Sequence, residues 1–318
     1  METERKLDNN SDAFLESIKE LPSWVEAYKL NHWSPSQLTS SDDMWGYKYL
    51  YLTQEQRRKL PGNSKMFAGV CLGNMAIAKF ANFLWMNEVG KGLVKKELPP
   101  ERKIFEKVLD KFNLYEPVNE KDAEDYAVIK KGLAIAFETL KKGIRSIELS
   151  NPVECERCVS MYLDGCTIPT IGRIDMEDSD NIIEMKTKWR RRGRPRKDGT
   201  CNYALPKLQE DYLGFEDHLS QLAFYYFANN EKKKPHLFVM HEEDYKVFTS
   251  ENCEELKPEN LKKHLHRLTL VAQRRERLLN NHQGKDTWYQ DVVPNFKHFF
   301  WQGMGEHKEI AMKLWGLT

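Results

Sequence analysis

The chain has 318 residues, enough for one large domain or two smaller ones at about 150 residues each and for a core far beyond that of a disulfide-stapled miniprotein. Lys plus Arg total 49 against 48 Asp plus Glu, a formal charge of +1, which excludes a uniformly basic coat and requires any basic site to be local. A hydrophobic content of 40% with eight Trp excludes a disordered chain.

Residues 1–10 alternate acids and bases without an apolar stretch, so neither a secretory signal nor a transit peptide is read there, and a cytoplasmic protein is expected. The most apolar long stretch, 67–86, contains Asn74, Lys79 and Asn82, each costly in lipid, and no membrane partner is expected. Apolar residues recur at three- and four-residue spacing over 65–87, 122–148 and 258–281, which predicts three helices. Gly, Pro and Asn in 91–100 and 113–119 mark connections. From Val153 to Leu163 the period changes to two, the mark of a half-buried strand. Asp164-Gly165 then supplies a turn before an extended run over 167–176, and a third run follows over 182–188. A helix is predicted over 210–229, and a strand or hairpin over 236–248 around His241-Glu242-Glu243-Asp244. The expected fold class is mixed α/β, one domain over 1–318. Residues 1–150 are mainly helical, 151–250 hold the sheet and one helix against it, and 251–318 are helical again.

A turn over 178–181 sets the register of the second and third strands. Asp175 then faces Glu184 and Arg173 faces Lys186, while Ile174 faces Met185 and Met176 faces Ile183. One face collects two acids and a lysine and the other four apolar side chains; a one-residue slip would exchange them, so the pattern specifies its own register. Two carboxylates on adjacent strands can hold a hard divalent cation through oxygen, and a lysine two residues along can steady charge on a phosphate. An ordinary solvated strand face with a surface ion pair has the same residues.

Gly172-Arg173-Ile174-Asp175 followed by Glu184-Met185-Lys186 resembles the core of the PD-(D/E)XK nucleases, in their RecB-like and lambda-exonuclease-like branch. His218, Gln221 and Tyr225, in the string HLSQLAFYY, resemble that branch's Gln-x-x-x-Tyr helix, and Trp33-Ser34-Pro35-Ser36-Gln37-Leu38 resembles its Ser-x-Ser-x-Leu segment. The resemblance implies a restriction-endonuclease-like core, a central mixed sheet with antiparallel strands flanked by helices, with helical additions at both ends. It implies Mg²⁺ or Mn²⁺, one ion or two, held by Asp175, Glu184 and the Met185 carbonyl. Lys186 becomes the catalytic lysine, Gln221 and Tyr225 support the site, and Ser34 and Ser36 join the DNA-binding surface. The activity implied is a DNA exonuclease of phage-type recombination, replication or DNA degradation, with a single-strand-annealing or replication protein among the partners it allows. A structure-specific endonuclease or resolvase on the same core, and a non-catalytic DNA-binding module, are the alternatives. The helix before the sheet lacks the histidine that many members carry, and Asn74 there reads as a polar helix residue.

Lys186 to Lys197 holds eight Lys or Arg and no acid, directly after the catalytic strand. Gly193, Pro195 and Gly199 suggest a loop, and Arg192-Gly193-Arg194-Pro195 resembles an AT-hook. Lys188, Trp189, Arg190, Arg191, Arg192, Arg194, Arg196 and Lys197 are the expected DNA contacts, with Trp189 and Tyr203 available to stack on bases. Cys155, Cys158 and Cys166 raise a zinc or iron-sulfur alternative, but residues three apart on a strand point to opposite faces, and reduced thiols are expected. His264 and His266 are expected to be solvated.

Overall fold

The computed structural model describes residues 21–60, 62–81, 83–84, 94–95, 100–150, 152–197, 201–208 and 216–317. The chain groups into two compact units, one of Gly62–Cys158 with Arg173–Leu261, the other of Met1–Pro61, Val159–Gly172 and Lys262–Thr318.

In the first of these units lie helices α1 (Ser64–Phe80), α2 (Glu101–Asn113), α3 (Glu120–Arg145) and α4 (Glu216–Ala228). The sheet, which lies in this unit except for 159–161 of β3 and 170–172 of β4, runs β2-β1-β3-β4-β5-β8-β9, with β1 Phe83–Leu84, β2 Val94–Lys95, β3 Glu154–Met161, β4 Thr170–Glu177, β5 Asn181–Thr187, β8 Lys234–Met240 and β9 Tyr245–Phe248. A separate two-stranded ribbon pairs β6 (Arg191–Pro195) with β7 (Cys201–Ala204). The mixed α/β class is as expected. The helix expected over 65–87 stops at Phe80, because Ala81 turns extended at ψ 117°, and Phe83–Leu84 pairs parallel with β3 instead. Short strands of this kind and the amphipathic α2 escaped the periodicity reading. Of the helix expected over 210–229, residues 210–215 lie outside those described.

Local chemistry explains the elements that matter for the site. Asn63 and Asn119 cap α1 and α3, accepting the Met66 and Asp122 amides, and α3 has acids in its first turn and Lys142 and Arg145 in its last, as the helix dipole favours. At the β4–β5 turn, Asp178 Oδ1 accepts the amides of Asp180 and Asn181 at 2.7 and 2.6 Å. That Asp-centred turn fixes the register Met176↔Ile183 and Glu177↔Ile182, the one the apolar pattern demands. β5 then pairs parallel with β8 across its whole length, with α4 as the intervening helix, so β5 is an interior strand. Helices α1 and α3 pack on one another, α1 also on β5 and α3 on β8 and β9, while α4 packs on β5 and β8. The core contains Met176, Ile183, Phe238 and Met240 from the sheet with Leu72, Met75, Leu133 and Phe137 from α1 and α3. Gly143 permits a close approach of α3 to β8, since a Cβ there would overlap the Phe238 ring.

In the other unit, residues before α5 (Pro258–His282) form short helices, among them Pro35–Leu38 and Asp42–Gly46, and α6 (Glu306–Leu314) ends the chain. Trp33 bridges Thr170 and donates its indole N–H to Glu276 Oε1 at 3.1 Å; Glu276 also accepts the Thr167 and Ile168 amides. Arg275 is fully buried, bound to Asp42 and to the Gln37 and Ser40 carbonyls, with its guanidinium 4.5 Å from the Trp45 ring centroid. His264, expected to be solvated, is buried, because it lies on the packed stripe of α5. All six cysteines are free. Among the described residues no helix is long and apolar enough to cross a membrane.

Candidate active site

The interior position of β5 changes the character of its charged side chains. Ile182, Glu184 and Lys186 share one face by strand alternation, and Ile183, Met185 and Thr187 the other. Ile182 and Ile183 are both fully buried, so at that end of β5 neither face is open to water, while Met185, Lys186 and Thr187 at the other end are partly exposed. Glu184 is only 3% exposed, and the solvated surface pair allowed by the sequence is thereby excluded.

Around Glu184 the groups form a connected set. Lys186 Nζ donates to Glu184 Oε1 at 2.5 Å and to Gln221 Oε1 at 2.9 Å. Glu184 Oε2 is buried and has no hydrogen-bond partner among the described residues. Asp175 is the next residue of β4 beyond the Met176↔Ile183 pair, the last pair of that ladder, and its Oδ2 accepts the Met185 amide at 2.7 Å, which sets it beside Glu184. The structure therefore brings together Asp175, Glu184, Met185, Lys186, Gln221 and, by its electrostatic coupling to both acids, Tyr225. Burial and then the Glu184 charge push the Asp175 carboxyl well above the usual carboxylate range, against the pull of Lys186 and the Met185 amide. For Lys186, burial favours the neutral amine, but the Glu184 and Asp175 charges and the Glu184 hydrogen bond outweigh it, so the ammonium is stabilised and acts as a cation. Burial followed by the same two acids holds the Tyr225 phenol neutral, and the Arg173 amide donates to its oxygen. His218 is pushed down to about 3 by burial, then by Lys186 and Lys188, and is a neutral imidazole.

Two acidic neighbours escaped the sequence reading. Glu156 raises Asp175 electrostatically and pairs with Arg173 at 3.1 Å. Its φ of 58° breaks the regular alternation of β3, so period-two counting could not place it. Asp217 supports the Lys186 charge, and its spacing of four from Gln221 on α4 was a usable signal.

Ser34 forms a capping box with Gln37 on Pro35–Leu38, accepting its amide, and its hydroxyl lies 3.2 Å from that of Ser36. Trp189 is 6% exposed and belongs to the core cluster, which removes it as a base-stacking platform. The middle of the basic segment, Arg191–Pro195, is not a loop but strand β6 of the ribbon, with Arg192 opposite Tyr203. Lys188 is half-buried and its amide donates to the Met240 carbonyl at 2.7 Å. Arg190 binds Glu242 and Glu243, and Arg192 binds Glu124. The side chains of Arg191, Arg194, Arg196 and Lys197 are exposed.

The fit to a divalent cation can be judged from the donors. Among the described residues no three His, Cys, Asp or Glu side chains form a metal-holding group. The set on offer is two carboxylates, one with a buried oxygen lacking any partner, plus backbone carbonyls. All are hard oxygen donors, which suits Mg²⁺ or Mn²⁺ with several positions left to water or substrate and does not suit a soft thiolate-seeking ion.

No protein-family profile matches the chain, and neither does any curated protein. Among solved structures it is similar to a protein from Eubacterium rectale provisionally named an exonuclease, at 14% identity and a TM-score of 0.42, covering 87% of this chain and 95% of that one. It is also similar to SSO0001, at 14% identity and a TM-score of 0.24, covering 54% of this chain and 85% of that one.

Proposed function

We propose that the protein is a metal-dependent deoxyribonuclease that hydrolyses phosphodiester bonds, acting as an exonuclease. The observation that carries this reading is the buried Glu184 carboxylate, bound through one oxygen to Lys186 and left unpartnered at the other, with Asp175 opposite. A buried carboxylate oxygen without a donor costs on the order of 1–3 kcal/mol or more, and a hard cation shared with Asp175 offsets that cost. Asp175, Glu184 and the Met185 carbonyl would hold the ion. Once bound, a divalent ion supplies Lewis-acid polarisation of a phosphodiester and acidifies water.

The chain's own residues supply the remainder. Lys186 keeps a fixed positive charge beside the carboxylates, suited to phosphate oxygens on which charge builds. Gln221 holds the ammonium from the α4 side, so its direction does not depend on Glu184 alone. The neutral Tyr225 phenol adds a hydrogen-bonding group next to both acids without adding charge. The motif order along the chain, Asp175 then Glu184-Met185-Lys186 then Gln221 and Tyr225, agrees with the PD-(D/E)XK resemblance.

Incubating linear and covalently closed circular DNA with the protein and Mg²⁺ or Mn²⁺ tests the reading. Loss of linear DNA alone supports an exonuclease, and nicking of circles shifts the assignment to an endonuclease. Asp175→Ala and Lys186→Ala should fold normally and cleave neither substrate. Wild-type protein that leaves both substrates intact in either metal rejects nuclease activity and leaves a binding module.

A further inference from the structure

The basic ribbon divides its cations into two sets that the sequence presents as one run. At the root, Trp189 is buried in the core and the Lys188 amide is bound to β8 through the Met240 carbonyl. Arg190 Nε lies 2.5 Å from Glu242, itself buried, and Nη2 lies 2.7 Å from Glu243, so this arginine is clamped to the β8–β9 turn. Glu242 is in turn fixed by Thr139 Oγ1, which donates to its carbonyl at 2.8 Å. Farther out, Arg192 Nη2 lies 3.0 Å from Glu124 on α3, and Tyr203 on the paired strand donates to the same carboxylate at 3.5 Å. These two arginines have their counter-ions already. The side chains of Arg191, Arg194, Arg196 and Lys197 are exposed, and none of them makes an ion pair or hydrogen bond among the described residues.

We infer that the β6–β7 ribbon is a pre-shaped grip for the DNA phosphate backbone in which Arg191, Arg194, Arg196 and Lys197 contact phosphates, whereas Arg190 and Arg192 are positioning residues. The inference deepens the deoxyribonuclease reading and rests on it for the choice of DNA as partner. An unpaired surface cation releases the counterions condensed on DNA when it meets a phosphate, whereas an arginine neutralised by a neighbouring carboxylate adds little. Only three residues, Lys188 to Arg190, separate the ribbon from β5 and its lysine. A root held by core packing, a backbone hydrogen bond and two ion pairs lowers the ordering cost that a flexible basic loop would incur on binding. A two-stranded ribbon also has dimensions that a DNA major groove admits.

Binding of the full chain to a short DNA duplex is measured in EDTA, so that cleavage does not interfere, across a range of salt concentrations. Replacing Arg191, Arg194, Arg196 and Lys197 together by Ala should reduce the slope of log K against log salt by up to about 3.6, at about 0.9 for each phosphate left unneutralised. The pair Arg190→Ala and Arg192→Ala should weaken binding while leaving the slope close to wild type, a split that a generic loss of positive charge does not produce. Thermal melting controls for folding. An unchanged slope in the fourfold variant overturns the proposal, as does a slope reduction per residue in the Arg190 and Arg192 pair equal to that of the fourfold variant. Tighter binding to an RNA duplex of equal length overturns the choice of DNA. Cleavage by wild type with an unchanged slope in the fourfold variant removes the grip and leaves the nuclease; the expected slopes without any cleavage in Mg²⁺ or Mn²⁺ keep the grip and remove the nuclease.

Discussion

Replacing Asp175 by Asn should make the metal-free protein more stable and the metal-loaded protein less so. In the wild type two carboxylates face each other in a buried site beside one ammonium. Carboxylates at neighbouring strand positions stand about 5 Å apart, which at an effective dielectric of about 20 gives at most about 3 kcal/mol of repulsion with both ionised; the raised Asp175 pKa lets that carboxyl take up a proton and so relieves part of it. Asn removes that repulsion along with part of the attraction to Lys186. It keeps a neutral acceptor for the Met185 amide, at a loss of about 1 kcal/mol relative to a charged one. The net gain without metal is about 1–2 kcal/mol, a rise of about 2–8 °C in Tm at 2–4 °C per kcal/mol. Saturating Mg²⁺ or Mn²⁺ at about 100 times Kd adds about 2.7 kcal/mol to the wild type alone, so the order of the two proteins reverses. Melting curves in EDTA and in each metal read both effects. An Asn variant that melts below wild type in EDTA, or that still gains stability from the cation, refutes the assignment of Asp175 and Glu184 as a shared carboxylate site.

Gln221→Ala removes the second tether of the Lys186 ammonium; cleavage should fall about tenfold with DNA binding unchanged, and Gln221→Glu should not restore it, because Gln221 accepts from Lys186 beside two existing acids, where about 1.4 kcal/mol is a factor of ten. Gly143→Ala puts a methyl group into the Phe238 ring and should cost about 1–3 kcal/mol in chemical denaturation; an unaffected midpoint contradicts the close packing of α3 on β8. Glu101 is held down to about 2 first by its hydrogen bond from Lys141, then by that from Lys79. Its folded pKa is depressed, so its contribution is complete above the ordinary carboxylate range and is lost as pH falls towards about 2. Because Glu101 is 39% exposed, the amount is under about 1 kcal/mol. Glu101→Gln should therefore lower stability near neutral pH and converge with wild type in acid, which a pH series of melts checks.

The β4–β5 hairpin was legible in the sequence because two local signals agree there: alternating apolar residues and an Asp-centred turn at 178–181. Together they specify the register Met176↔Ile183 that sets Asp175 beside Glu184. The two long helices α3 and α5 were legible for the same reason, each having a periodic stripe long enough to declare itself. The short strands β1 and β2 pair with β3 and with each other through backbone groups, which composition does not record. Glu156 was hidden by its left-handed backbone, and the ribbon by Gly193 and Pro195, residues more common in loops than in strands.

The residue types of the site and their spacing are thus properties of the linear chain. Their burial is not, because it depends on β8 pairing with β5, Asn181 against Lys234, and on α4 covering the charged face, with Gln221 35 residues from Lys186 along the chain. The division of the basic run also belongs to the fold. Side chains identical in the sequence become anchors or exposed cations according to whether α3 or the β8–β9 turn presents a carboxylate to them, and Coulombic pairing acts through distance in space, to which sequence separation is blind.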